Sequence, residues 1–89
     1  MKFNTNFDLV ELADEYMAVP IGNLAATFHG VITLSEPAAY LLKRMKDNTS
    51  IDDMVSFLLE EYEVDDSTAV KDVQQITQKF RDLGLVIDD

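Results

Sequence analysis

Apolar residues change their spacing near residue 35. Before it they come in short β-branched and aromatic runs, and after it they recur every three or four positions. In the first part, Phe7 and Leu9 alternate with Asp8, and Val10 and Leu12 flank Glu11, which predicts a strand of mixed facing ended by Asp14-Glu15. Tyr16-Met17-Ala18-Val19 predicts a second strand that stops at Pro20, because proline has no N–H to give to a ladder. Ile21-Gly22-Asn23 supplies turn chemistry. The stretch from Thr27 to Leu34 is enriched in β-branched and aromatic residues and predicts a third strand, with Gly30 marking a bulge or a close backbone approach.

Beyond Leu34 the helix signals are local. Ser35 is an N-cap, Pro37 falls in the first turn where its missing N–H costs nothing, and Ala38, Leu41, Leu42 and Met45 form a stripe, predicting a helix over 36–46. Asp47-Asn48-Thr49 breaks it. Ser50 and Asp53 have the spacing of a capping box, and Ile51, Met54, Val55, Leu58, Leu59 and Tyr62 then predict the most regular amphipathic helix of the chain. After an acidic connector, Asp66 or Ser67 caps a third helix that turns Val70, Val73, Ile76, Phe80 and Leu83 to the core and ends at Gly84. Leu85-Val86-Ile87 either adds a strand or packs on the helices. The expected fold is α+β, an N-terminal three-stranded antiparallel sheet followed by three helices in a single domain spanning 1–89.

Charge narrows the function classes. Seventeen carboxylates against seven Lys and Arg leave a formal net charge of −10, a field that repels phosphate backbones and argues against nucleic acid as a partner. The chain has no Cys, which removes disulfides, thiolate metal sites and cysteine nucleophiles. No apolar run approaches the ~20 residues that span a membrane, and Asp8, Glu11, Asp14 and Glu15 interrupt the N-terminal segment where a secretory signal would be apolar. A cytoplasmic protein without membrane attachment is expected.

Catalytic chemistry has no visible apparatus. His29 is the one histidine and stands without a partner motif, so a surface or strand-packing role is expected of it. The pairs Asp52-Asp53, Glu60-Glu61, Asp65-Asp66 and Asp88-Asp89 are adjacent in sequence; where they are helical their side chains diverge, and they read as a solvated acidic face. The run from Asp65 to Val70 lacks the central glycine and spaced oxygen ligands of a calcium loop. Gly22, Gly30 and Gly84 lie too far apart to cradle a phosphate. No metal, no cofactor and no enzymatic activity are expected.

Several segments together resemble the PqqD family, the pyrroloquinoline quinone biosynthesis protein D and its relatives, also called precursor-peptide recognition elements. They are an extended stretch ending in Leu34 and running into Ser35-Glu36-Pro37-Ala38-Ala39-Tyr40-Leu41-Leu42, then Ser50-Ile51-Asp52-Asp53-Met54-Val55 with Leu58, and Tyr62-Glu63-Val64. Lys71-Asp72-Val73 leading to Phe80-Arg81-Asp82-Leu83-Gly84-Leu85-Val86 completes the pattern. Tyr40-Leu41 stands where many members place a tryptophan, and Met45-Lys46-Asp47-Asn48 replaces their frequent Asp-Gly turn.

The resemblance implies a winged-helix-like module without catalysis that captures the leader of a ribosomally made precursor peptide. It implies presentation of that leader to a modifying enzyme, often a radical S-adenosylmethionine (radical SAM) enzyme. The leader would add as a strand beside the third strand, against the third helix. Carried onto this chain, the peptide-binding residues would be Phe28, His29, Gly30, Val31, Ile32, Thr33 and Leu34 on the edge. The helix would contribute either the flank with Val70, Gln74, Thr77 and Arg81 or the one with Ala69, Asp72 and Ile76. Strand addition is sound physically, because an exposed edge offers unpaired N–H and C=O groups. The same edge pairing with itself would give a homodimer that occludes the site. An acidic rim would favour leaders bearing Lys or Arg. Two other readings stay open: a winged-helix transcription regulator, disfavoured by a third helix that offers only Lys71, Lys79 and Arg81 amid Asp72 and Asp82, and an acidic adaptor using the same edge for another protein.

Overall fold

The computed structural model describes residues 1–88. In chain order its elements are β1 (Lys2–Phe3), β2 (Phe7–Leu12), β3 (Glu15–Pro20), a 3-10 helix (Gly22–Ala26), β4 (Ile32–Leu34), α1 (Glu36–Arg44), α2 (Ile51–Glu61), α3 (Asp66–Leu83) and β5 (Val86–Ile87). The strands β2, β3 and β4 form the expected three-stranded antiparallel sheet in that order, and three helices follow.

The hairpin between β2 and β3 turns tighter than the pattern suggests. Leu12 pairs with Glu15, so the turn is only Ala13 and Asp14, both at positive φ (52° and 65°). This is the twist that two-residue hairpins require, here without the glycine that favours it. Glu15 therefore begins a strand instead of ending one, while β3 does stop at Pro20.

The third strand is much shorter than expected. Of the residues 28–34, only Ile32, Thr33 and Leu34 pair with β3, facing Ala18, Met17 and Tyr16. Upstream, the carbonyl of Leu24 takes the N–H groups of both Thr27 and Phe28, which winds residues 22–28 into helical turns in place of the extended run. Gly30, at φ 108°, then redirects the chain into the sheet, a conformation closed to most other residues. β-propensity loses here to a local hydrogen-bonding alternative.

Each helix begins at a side-chain cap. Ser35 Oγ accepts the N–H of Ala38 (3.3 Å), and the Ser50–Asp53 capping box is reciprocal (3.0 and 2.9 Å). α3 is capped by Asp65, one residue before the expected candidates, through the N–H of Thr68 at 2.8 Å. α1 ends at Arg44 and not at Lys46, because Thr49 Oγ1 accepts the Lys46 N–H and donates to the Lys46 carbonyl, fixing a turn where the helix would continue. Gly84 closes α3 in the left-handed region at φ 74°, its N–H directed at the Arg81 and Phe80 carbonyls.

One apolar cluster joins sheet and helices, with Phe7, Ala18 and Leu34 packed among Leu41, Leu42, Met54, Leu58, Val73, Phe80 and Leu85. The buried stripe of α3 is rotated from the expected one. Ala69, Val73, Thr77 and Phe80 are buried, whereas Val70 and Leu83 are each 39% exposed. Thr77 tolerates burial because its hydroxyl donates to the Val73 carbonyl at 2.8 Å. Leu59, on the expected stripe of α2, likewise lies at the surface.

A second small sheet closes the ends of the chain together. β1 pairs antiparallel with β5, Lys2 opposite Ile87 and Phe3 opposite Val86. Asn4 reinforces it, donating its N–H to Leu85 and its side-chain amide to the Gly84 carbonyl, both at 2.9 Å. The Met1 amine donates to the Thr49 carbonyl at 2.7 Å. Among the described residues, no helix is long and apolar enough to cross a membrane.

Candidate peptide-binding groove

β4 pairs on one side only, with β3, so it is an edge of its sheet. α3 runs alongside that open edge, and the space between them is a cleft of about 160 Å³ lined by Thr33, Leu34, Ser35, Ala38, Ile76, Lys79, Phe80 and Leu83. A second cleft of about 220 Å³ shares Ser35 and Ile76 with the first and continues past Pro37, Leu58, Tyr62, Val64, Asp72 and Gln75. Meeting at Ser35 and Ile76, they form one groove of largely aliphatic and aromatic lining, bordered at one end by the open edge of β4.

Local sequence explains each wall. Ser35 ends β4 and caps α1 at once, so the strand edge passes directly into the first helical turn, where Pro37 and Ala38 leave room for a ligand. On α3, Asp72, Ile76, Lys79 and Leu83 recur at three- and four-residue steps and form one stripe beside the buried one. Tyr62 closes the far end. Its hydroxyl donates to Glu36 Oε1 at 3.0 Å, and desolvation together with that carboxylate pushes its pKa up to about 12, so the phenol stays neutral.

The edge residues named from sequence separate into two groups. Ile32, Thr33 and Leu34 belong to the strand, Leu34 with its side chain in the core and Thr33 exposed. Phe28, His29, Gly30 and Val31 precede it, and Phe28 turns its ring edge-on to Phe7 with centroids 5.9 Å apart. His29 is exposed, and Val31, directly before the strand, is 51% exposed.

On the helix, the groove takes the flank carrying Asp72 and Ile76. Val70, Gln74, Thr77 and Arg81 do not line it: Thr77 is in the core, Gln74 lies in a shallow depression with Lys71, Gln78 and Asp82 that Gln75 and Lys79 also border from the groove side, and Arg81 is held by Asp88 at 3.3 Å. Lys79, Phe80, Leu83 and Gln75 line it and were not anticipated as wall residues. The signal for them was present as the i, i+3, i+4 continuation of Asp72 and Ile76. Among the described residues, no three His, Asp or Glu side chains converge to hold a metal ion.

The family model for coenzyme PQQ synthesis protein D (PqqD) matches residues 23–86, most of the chain and all of the groove-forming elements. The chain belongs to the PqqD family. Among solved structures, this PqqD-family chain is similar to TbiB1 in complex with the TbiA(beta) leader peptide, with a TM-score of 0.73 at 15% identity over 99% of this chain and 100% of that one. It is also similar to a lasso peptide synthetase B1 complexed with the leader peptide, with a TM-score of 0.74 at 18% identity over 98% and 96% of the two chains. At such identities the likeness speaks for the shared fold. No curated protein matches the chain.

Proposed function

We propose that this PqqD-family chain is a non-enzymatic peptide chaperone that binds the leader of a ribosomally made precursor peptide and presents it to a modifying enzyme, a radical SAM enzyme being the foremost candidate. The observation that carries this reading is the open edge of β4 lying along an apolar groove against α3. Such an edge binds an extended peptide through main-chain hydrogen bonds, while pockets spaced for alternate side chains confer selectivity. Two structures with this fold contain leader peptides, and the family match covers the edge and the groove. The contact residues are Ile32, Thr33 and Leu34 on the edge, extended by Val31, with Asp72, Ile76, Lys79 and Leu83 on the helix.

The test is backbone amide NMR of the labelled chain, titrated with the leader segment of a precursor peptide encoded beside it. Saturable shifts concentrated at residues 31–35 and along the Asp72–Leu83 stripe support strand addition. Shifts confined to the outer edge of β2, or none at all, overturn it.

A further inference from the structure

Among the aliphatic, aromatic and neutral polar side chains that line the groove stand two opposite charges. Asp72 is the one ionisable acid of its far cleft apart from the neutral phenol of Tyr62, and Lys79 is the one charged side chain of the cleft beside β4. Neither side chain makes a hydrogen bond or an ion pair within the described residues, although those of Arg44, Arg81 and Lys43 all do. The two lie seven residues apart on α3, two turns and about 10 Å along the axis, with Ile76 between them on the same stripe. Along the groove the helix wall therefore reads acid, aliphatic, base.

Two unpaired opposite charges along a groove bordered by a strand edge are complementary to a peptide with the reverse order. We propose that Asp72 and Lys79 select leader segments that carry a basic, an apolar and an acidic residue at alternate positions, and that they set the direction in which the strand lies. This rests on the reading of the groove as a leader site. Alternate residues of a strand face the same way, and the first and fifth residues are about 13 Å apart, a span that a flexible lysine stem reconciles with the helix spacing.

The direction follows from the walls. Passing from Thr33 to Pro37, the chain moves from the level of Leu83 to that of Asp72. A peptide antiparallel to β4 meets Asp72 first and Lys79 last, so its order from the N-terminus is basic, apolar, acidic. That arrangement continues the antiparallel pattern of β2, β3 and β4, and antiparallel pairs are slightly more stable per residue than parallel ones. A peptide of the opposite order must run parallel or place like charges together.

The experiment uses the full chain and two short blocked strand-forming peptides of identical composition. One has arginine, leucine and glutamate at alternate positions, and the other has the arginine and glutamate exchanged. Amide NMR titration gives both dissociation constants, and the arginine-first peptide is expected to bind about tenfold more tightly, the product of a few-fold for each partly exposed charge contact. The doubly exchanged variant, Asp72→Lys with Lys79→Glu, keeps the net charge and should reverse the preference. Equal binding of the two peptides, or a preference unchanged in the exchanged variant, overturns the charge selection while leaving strand addition standing. If neither peptide shifts the β4 and α3 resonances, the leader-site reading falls and the selection with it.

Discussion

The helical part of the chain and its three-stranded sheet differ in where their boundaries come from. α1, α2 and α3 each start at a residue whose own oxygen accepts an N–H three positions on, and α3 ends where a glycine takes φ 74°. In the sheet such punctuation is partial, at Pro20 after β3 and at Ser35 after β4. β4 begins only at Ile32, opposite Ala18, because the Leu24 carbonyl holds the chain upstream in helical turns, although β3 itself continues to Pro20. Helix limits thus follow from residues within one turn of each end, while which strands pair, and over what length, also depends on a neighbour far along the chain. The groove sits between the two kinds of element, with one wall of each.

The comparison breaks most sharply in the core that both parts share. Phe80, 2% exposed, lines both the core and the groove floor, and Phe80→Ala should cost about 3–5 kcal/mol in chemical denaturation and abolish peptide binding. Were the loss below about 1 kcal/mol, the two parts would not be folding on a common core.

Caps come next. Ser50→Ala removes one half of the capping box and should cost about 1 kcal/mol. Gly84→Ala should cost about 1–2 kcal/mol from backbone strain alone, since a Cβ there meets nothing within 4 Å. Both are read from thermal unfolding, and peptide affinity at low temperature should stay unchanged, because neither residue lines the groove.

The sheet should respond in the opposite sense at its turn. Ala13→Asn with Asp14→Gly supplies the residues that a two-residue turn with positive φ favours, and should stabilise the chain by about 0.5–1 kcal/mol. Leu12→Ala, at a position 66% exposed, should change stability by less than about 0.5 kcal/mol. A large effect there would mean that the outer face of the hairpin is covered in solution.

The pH dependence sharpens the same contrast. Asp53 is held below the usual carboxylate range by the Ser50 backbone N–H and then its hydroxyl, and Asp65 by hydrogen bonds from Thr68 and Ser67. Their folded pKa values are depressed, so their contribution is fully present above the ordinary value of 3.8 and is lost as pH falls through the folded values. Tyr62 has the opposite sign. Its pKa is raised from 10.0 to about 12, so its contribution is complete below pH 10 and disappears as pH rises through that window, visible in tyrosinate absorbance. Stability against pH should thus fall at both ends, through helix caps in acid and through the groove's far end in base.

Particular residues show how far the sequence carried. The reading that placed Ser35, Ser50 and Gly84 at helix ends and Pro20 at a strand end used only bonds made or forbidden within a few residues. It missed β1 because Lys2 and Phe3 carry no pattern of their own and become a strand only through Ile87 and Val86 at the other end of the chain. It extended the third strand to Phe28 because β-propensity was scored without the competing turns of residues 22–28. It left both flanks of α3 open because Val73 and Phe80 lie mid-stripe, and a helix wheel does not say which neighbour stands on either side.

From sequence alone come the fold class, the starts of the first two helices and that of the third to within a residue or two, the negative field and the likeness to PqqD proteins, all of which depend on local spacing or summed composition. The tertiary structure alone decided that β4 is short and open on one side, that Asp72, Ile76, Lys79 and Leu83 face that opening, and that the two termini close on one another. Pairing partners and the rotation of a helix about its axis are set by contacts between residues distant in the chain. Those contacts exist only once the common core around Phe80 has formed.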